Sequence, residues 1–186
     1  MFNKVPQVIE QANCFIDGYG YAGVARDITL PIIEQEVLES KGALSANYGT
    51  GVFKAMECSF KISEMGEQAF EAFGVNTFSK TKIPLVFKAS IHQSGSGKQV
   101  PFVVELNGEF TSMTPPSIVA GGEFTSEIKI NVHFIKITMD GKRLFLADIK
   151  NLILEFNGID KMAKVKANLS LQGENYVKNN QIIKWK

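Results

Sequence analysis

Alternating apolar and polar residues run through most of the chain and predict a protein that is mainly β. The alternation is clearest in residues 125–139, where Ile128 and Ile130 share one face of an extended strand and polar residues occupy the other. At Phe134 and Ile135 the pattern shifts by one residue, which predicts a β-bulge. A strand of about 14 residues exceeds the usual length, and long bent strands are typical of barrel-like sheets.

Further strands are predicted by the same pattern and by the turns between them. They comprise residues 13–17, 21–30, 52–62, 83–92, 100–111 and 142–156, the last as one strand or as two short strands. Asp17–Gly18 and Asp140–Gly141 are predicted as tight hairpin turns. The glycine-rich residues 93–98 are predicted as the tip of a third hairpin.

One central helix is predicted between two of these strands. Ser63 and Glu67 have the character of a capping box at a helix start. Apolar residues then recur at helical spacing in residues 65–73. Gly74 is expected to end the helix as its C′ residue.

Residues 34–51 combine acidic residues with three glycines and small polar residues. This composition argues against regular structure. A loop of this length inside a compact domain is uncommon and is usually functional. The sequence therefore predicts a long loop that faces a partner.

The length of 186 residues fits one domain with extensions. We expect an amino-terminal arm at residues 1–11, one domain at residues 12–171 and a carboxyl-terminal arm at residues 172–186. The last arm is polar and rich in Lys and Asn, and two alternatives stay open for it: it docks on a partner that orders it, or it stays mobile. Within the domain, a second, short helix is predicted at residues 161–169, with Asp160 as its N-cap.

Charge and composition exclude several classes of function. The net charge of +1 gives no general attraction to nucleic acid or to an anionic membrane. Apolar runs of the length of a signal peptide or a membrane span are absent, so we expect folding in the cytoplasm. Cys14 and Cys58 lack the spacing of metal ligands and are expected to be small buried thiols.

Residue types that carry catalysis do not converge in a recognisable motif. His92 and His133 lie on predicted strands without the partners that a catalytic base needs. Residues 18–23 are glycine-rich, but they lack the lysine and the following helix of a phosphate-binding loop. The glutamates of residues 34–39 lack calcium-loop spacing. The sequence therefore predicts no enzyme, no metal site and no cofactor.

Three sets of residues together carry a resemblance to a known family. They are residues 13–18, 21–25 and 28–31 in the first hairpin, residues 56–60 before the helix, and residues 134–142 with residues 157–160. Their order and spacing over residues 11–171 resemble the major tail tube proteins of contractile-tailed temperate phages and related contractile bacteriocins.

This resemblance implies a tail-tube β-sandwich or barrel with one central helix. It also implies hexameric rings that stack into a hollow tube inside a contractile sheath, as the conduit for DNA ejection into the host. The implied partners are further copies of the chain, the tail sheath protein, the baseplate or tail initiator, and the tape measure protein and DNA inside the lumen. DNA binding without sequence specificity, no membrane contact, and assembly of the virion tail in the host bacterial cytoplasm are implied as well.

The resemblance assigns roles to particular segments. The loop at residues 34–51 is implied to reach the adjacent ring, with Glu34, Glu36, Glu39, Lys41, Leu44 and Tyr48 as its contact residues. The inner wall of the tube is implied to consist of the strands at residues 21–34, 52–62, 100–112 and 125–139.

The lumen residues are predicted from the requirement that DNA passes without being held. Each lysine or arginine that binds a phosphate strengthens the grip on DNA, so a neutral or acidic wall is expected. Strand alternation places Glu105, Asn107 and Glu109 on one face of a strand, with Glu127 on another strand. These four residues are the lumen candidates, and the alternative for them is an ordinary solvated sheet face.

Two other functions stay open at this point. One is the tube subunit of a contractile bacteriocin or a secretion-type injection machine that delivers no genome. The other is a monomeric β-barrel that binds a small molecule, which predicts an enclosed apolar pocket and no oligomer. The long loop and the polar tails fit this second alternative poorly.

Overall fold

A computed structural model describes residues 6–20, 25–42, 44–64, 66–78, 82–94 and 97–171. In chain order its elements are β1 (Gln7–Ile16), β2 (Tyr19–Gly20), β3 (Ala25–Thr29), β4 (Gln35–Ser40), β5 (Ala46–Phe53), β6 (Met56–Ile62), α1 (Glu67–Phe78), β7 (Leu85–Gln93), β8 (Gln99–Thr114), β9 (Ser126–Met139), β10 (Lys142–Asp148), β11 (Ile153–Phe156), β12 (Ile159–Asp160) and α2 (Ala163–Asn168). The fold is mainly β, which confirms the class predicted from the alternation.

Ten strands form one antiparallel sheet, and β4 and β5 form a separate hairpin. The main sheet runs in the order β12-β11-β10-β9-β8-β7-β1-β2. On one side β9 pairs with β8, and on the other side it pairs first with β6, over residues 126–132, and then with β10, over residues 134–139. The sheet therefore forks: β6 and β3 form one branch, and β10, β11 and β12 form the other.

A bulge in β9 marks the point where the sheet forks. Asn107 pairs with Phe134, whereas the next residue of β8 pairs with Val132. His133 is therefore the extra residue, immediately before the position where the alternation predicted a bulge. Its carbonyl oxygen accepts a hydrogen bond of 3.0 Å from the Ile149 N–H, which ties the second branch to the fork.

The hydrophobic core lies between the inward face of the sheet and α1. Its largest fully buried side chains are Phe60, Ile16, Ile62, Leu85, Leu106, Ile128, Ile130 and Ile135. The Phe60 and Phe87 rings meet edge-on with centroids 5.5 Å apart. On the other side, Phe73 of α1 lies against Phe110 of β8 at 6.0 Å. Burial of each such side chain stabilises the fold by about 1.5–3 kcal/mol.

The predicted hairpin turns are confirmed. Asp17–Gly18 joins β1 to β2, and Asp140–Gly141 joins β9 to β10 with φ of +50° and +73°. Both turn residues have positive φ, as a two-residue hairpin that follows the strand twist requires. At the third tip, the Gln93 N–H donates a 3.0 Å hydrogen bond to the Lys98 carbonyl oxygen.

The amino-terminal region differs from its prediction in two respects. β1 begins at Gln7, within the residues expected to form an arm, because β7 offers it a continuous antiparallel ladder. The second strand of the predicted first hairpin was wrongly paired, since β3 pairs with β6 and not with β1. Residues 21–24, at the start of that predicted strand, lie outside the described residues.

The prediction of an unstructured loop at residues 34–51 is wrong, because β4 and β5 form an antiparallel hairpin there. The glycines of this hairpin are accommodated in the strand ladder and do not interrupt it. The Gln35 side chain lies over Gly49, in space that a Cβ atom would fill. Gly51 has a φ of +77°, next to a register shift in the ladder. Glycine in a strand often marks such a close approach or bulge.

Both predicted ends of the central helix are wrong. The Ser63 hydroxyl donates a 3.1 Å hydrogen bond to the Glu123 carboxylate, far away in sequence, and α1 starts four residues later. The helix also continues through Gly74 to Phe78. The contact of Phe73 with the sheet lies just before this glycine, so tertiary packing outweighs the local stop signal.

Residues 142–156 form two strands, β10 and β11, which confirms one of the two predicted alternatives, and β12 and the short helix α2 follow them. Asp160 is not the N-cap of α2, which is Met162. Instead the Asp160 carboxylate accepts a 2.8 Å hydrogen bond from the Met162 N–H and lies 2.6 Å from Lys166 Nζ. The hydrogen bond from Lys166 lowers the pKa of Asp160. The predicted arm at residues 172–186 lies outside the described residues.

Candidate assembly surfaces

Catalytic groups are not brought together in the described part of the chain. His92 Nδ1 lies 3.6 Å from Glu10 Oε1 in a partly exposed pair, and His133 occupies the bulge. Among the described residues, no three His, Cys, Asp or Glu side chains are placed to hold a metal ion. Burial raises the pKa of both Cys14 and Cys58 to about 12, so these thiols stay protonated. In the same residues, neither helix is long and apolar enough to cross a membrane.

The hairpin β4–β5 and its base hold all the residues predicted to reach the adjacent ring. They are Glu34, Glu36, Glu39, Lys41, Leu44 and Tyr48, and each is exposed. Leu38 lies opposite Tyr48, and this apolar pair keeps 66% and 61% of its surface exposed. At the base, Lys54 Nζ donates a 2.8 Å hydrogen bond to the Glu34 carboxylate. The hairpin is thus an ordered element that presents apolar side chains to solvent.

An apolar groove lies at the fork of the sheet. Its walls are the base of the hairpin at residues 50–56, the β10–β11 connection at residues 147–154, and the start of α2 at residues 161–165. The lining includes Val52, Phe53, Met56, Ile149, Met162 and Val165. The cavity volume is about 660 Å³. We call this cavity the fork groove.

No pattern in the sequence predicts the fork groove, because its three walls are far apart along the chain. A local signal does exist in two places. Ile149 stands beside polar residues in the β10–β11 connection, and Val165 lies between lysines in α2. Both side chains are well exposed. Apolar residues in such polar segments indicate a contact surface when the fold brings them together.

The four lumen candidates lie on the polar face of the sheet. Glu105, Asn107 and Glu109 alternate with buried residues of β8, and Glu127 does so on β9. This alternation confirms that they face away from the core.

Ion pairs neutralise this polar face. Lys136 Nζ lies 2.8 Å from Glu105, and Lys82 Nζ lies 3.2 Å from Glu109. The hydrogen bond from Lys82 lowers the pKa of Glu109. Lys129 lies 4.0 Å from Glu127. Each of these three lysines therefore has an acidic neighbour.

Comparisons with known proteins assign the class. The family model of phage tail tube protein FII matches residues 6–169. The chain is 28% identical over 176 residues to the tail tube protein of Escherichia phage P2, a match that covers 90% of this chain and 99% of the phage protein.

Solved structures share the fold at low sequence identity. The tube-terminating cap of the anti-feeding prophage matches with a TM-score of 0.55 and 12% identity, over 74% of this chain and 94% of that chain. A chain of the PVC sheath–tube complex, an extracellular contractile injection system in its extended state, matches with a TM-score of 0.52 and 11% identity, over 72% and 90% of the two chains.

The fold, the exposed hairpin and the matched family together define a structural tail tube protein and not an enzyme. The chain belongs to the phage tail tube protein FII family. The resemblance found in the sequence is thereby confirmed.

Proposed function

We propose that this chain forms hexameric rings that stack into a hollow tube inside a contractile sheath, and that the tube conducts DNA into a host. The family supports the tube, and the exposed hairpin β4–β5 carries the proposal for stacking. An isolated two-stranded hairpin is marginally stable in water. A hairpin that holds apolar groups in solvent therefore needs a covering partner.

Closure of each ring is supported by the free edges of the sheet. In the described residues, β2 and β12 end the strand order and β3 pairs on one side only. Edge strands carry unpaired N–H and C=O groups that a neighbouring subunit can pair. A head-to-tail interface of this kind closes into a ring when its rotation fits a whole number of copies.

Stacking of rings is assigned to the hairpin, with Glu34, Glu36, Glu39, Lys41, Leu44 and Tyr48 as contact residues. Their common exposure supports this assignment. The channel wall is assigned to the polar face of the sheet, with Glu105, Asn107, Glu109 and Glu127 toward the lumen. Paired charges there support passage of DNA without sequence-specific binding.

Further partners and the place of assembly follow from the proposed tube. The tail sheath protein surrounds it, a baseplate or tail initiator starts it, and the tape measure protein and DNA occupy its lumen. Assembly takes place in the host bacterial cytoplasm. The match to a phage protein over almost its whole length supports a phage tail over a genome-free injection machine.

Electron microscopy of the purified full-length chain tests the proposal. We expect rings or tubes with sixfold symmetry in negative stain as the concentration rises, and in the presence of the tail initiator complex at lower concentration. A monodisperse monomer under all of these conditions would contradict it. Image averages with another rotational symmetry would contradict the hexamer alone.

A further inference from the structure

We infer that the fork groove of one copy receives the apolar face of the hairpin β4–β5 from a second copy. The inference rests on the proposed function, since it names the surface that the stacking hairpin binds. The occupant is a second copy of this chain because each copy carries both an exposed apolar projection and an apolar cavity.

The projecting surface is small and well defined. Leu38 and Tyr48 lie directly opposite each other in the ladder, so their side chains share one face of the hairpin. Leu44 lies beyond them toward the tip and is 92% exposed. Contiguous exposed apolar groups on an ordered element mark an interaction surface.

The receiving surface has the matching chemistry. Val52 and Ile149 face it from two walls and keep about half of their surface exposed. Val165 of α2 completes the third wall, with 41% exposure. A partner that fills the groove would remove this surface from water, which is the main source of binding free energy.

Charge complementarity favours this pairing over a contact between two hairpins. Residues 34–54 carry three glutamates and two lysines, and Lys54 pairs with Glu34 at the base, so a small negative charge remains on the hairpin. The groove walls at residues 147–154 and 161–165 carry three lysines and one aspartate. Opposite charges around an apolar centre steer association and fix its register, whereas two acidic hairpins would repel each other.

The arrangement also explains how one contact builds a series. The apolar face formed by Leu38, Leu44 and Tyr48 shares no residue with the fork groove, so their contact is heterologous and leaves one free copy of each surface at the two ends. Each added subunit restores the same pair of free surfaces. Growth of the stack along one axis follows from this contact, while the free sheet edges close each ring.

Cross-linking between copies tests the inference. We propose the double variant Leu38→Cys/Val165→Cys, treated under tube-forming conditions with a short bis-maleimide and run on a denaturing gel. The native thiols do not interfere, because Cys14 and Cys58 are buried and protonated, and the thiolate is the reactive form. We expect a ladder of dimers, trimers and longer chains. Each single variant carries only one added thiol per chain, so its cross-linked products should not exceed the dimer.

Two controls define the outcomes. Leu38→Cys/Ile118→Cys places the second thiol on another exposed apolar residue, and a ladder of equal strength from it would overturn the inference. A ladder that appears only after deletion of residues 172–186 would also overturn it, because that segment would then be the occupant. Tubes without a ladder would overturn this inference alone, whereas a wild-type chain that never forms tubes would contradict the proposed function.

A groove-filling variant provides a test that needs no cysteine. Ala55 is exposed and lines the fork groove, so Ala55→Trp should occupy it without changing the core. We expect the critical concentration for tube formation to rise about tenfold or more, as for loss of a central contact. Ala120→Trp, on an exposed loop elsewhere, should leave it unchanged. Normal assembly of Ala55→Trp would overturn the inference.

Discussion

The hairpin β4–β5 and the strand pair β8–β9 are both antiparallel ladders, yet their side chains find partners in different places. On β9, Ile128, Ile130 and Val132 are buried within the subunit. On β4, all six residues are exposed. The long pair also has neighbouring strands on both sides, whereas the hairpin forms a two-stranded sheet by itself.

This difference separates folding from assembly within one chain. The sheet around β8 and β9 acquires its stability from contacts inside the subunit, so mutations there should change unfolding. The hairpin has few such contacts, so mutations there should change polymerisation and leave unfolding alone. Five substitutions test this separation, and they are expected to affect subunit stability to decreasing degrees.

The largest effect is expected from Gly108→Ala in β8, next to the bulge. A Cβ atom at Gly108 would overlap the carbonyl oxygen of Asn131 on the neighbouring strand, so the backbone would have to move. We expect the free energy of unfolding to fall by more than about 4 kcal/mol, a range typical of severe core damage. Urea unfolding measures it. Gly74→Ala is the control, because its Cβ would meet open space and the helix should gain up to about 1 kcal/mol.

The next largest effect is expected from Phe60→Ala in β6. Phe60 is fully buried and its ring lies against Phe87, so the substitution leaves a cavity in the core. The free energy of unfolding is expected to fall by about 3–5 kcal/mol. Chemical denaturation measures this change, and Phe60→Leu should lose much less stability than Phe60→Ala. Equal stability of Phe60→Ala and the wild type would contradict the position of the core.

A smaller and pH-dependent effect is expected from Asp160→Asn. The variant loses the ion pair with Lys166 and weakens the hydrogen bond from the Met162 N–H. We expect the free energy of unfolding to fall by about 1–2 kcal/mol. Since the folded-state pKa of Asp160 is lowered, its contribution is complete above the ordinary value of 3.8 and is lost as the pH falls through the folded pKa. Melting temperatures of variant and wild type should therefore differ at pH 7 and converge at the acid end. A constant difference across that range would argue against the ion pair.

A still smaller effect is expected from Glu105→Gln on the polar face. Its partner Lys136 lies at 2.8 Å, but both side chains are partly exposed. Pairs of this kind contribute about 0.2–1 kcal/mol, and salt screens them. A double-mutant cycle with Lys136→Gln, measured at low and high salt, should show a coupling that shrinks as salt is added. A coupling independent of salt would indicate a less solvated face.

The smallest effect on unfolding is expected from Leu38→Ser/Tyr48→Ser on the hairpin. Both side chains are exposed, so the free energy of unfolding should change by no more than about 0.5 kcal/mol. Assembly should nevertheless be lost or strongly weakened, as measured by sedimentation of tubes. Thr138→Ser on β9 serves as a control for a mild change elsewhere. Strong destabilisation of the hairpin variant as a monomer would break the separation between folding and assembly.

Sequence reasoning succeeded where one local pattern decides the structure. Strict alternation located β9 and its bulge, because a one-residue shift moves every later side chain to the opposite face. Asp140–Gly141 located a turn, because few residue pairs adopt positive φ at both positions. In both cases the information lies within a few neighbouring residues.

The predictions from the sequence were wrong where contacts between residues far apart along the chain determine the structure. Gly49 and Gly51 indicated a loop, but their role depends on the Gln35 side chain across the ladder. Gly74 indicated a helix end, but the contact between Phe73 and Phe110 holds the helix to the sheet. The fork groove could not be predicted, since its walls meet only after the sheet has formed.

The two buried cysteines have a consequence for the durability of the particle. Oxidants attack the thiolate form, and susceptibility follows thiolate character and exposure. Cys14 and Cys58 offer neither, since each is almost fully enclosed and each pKa is raised to about 12. A tube built from this chain should therefore keep its thiols reduced in an oxidising medium, with no reductant to protect it.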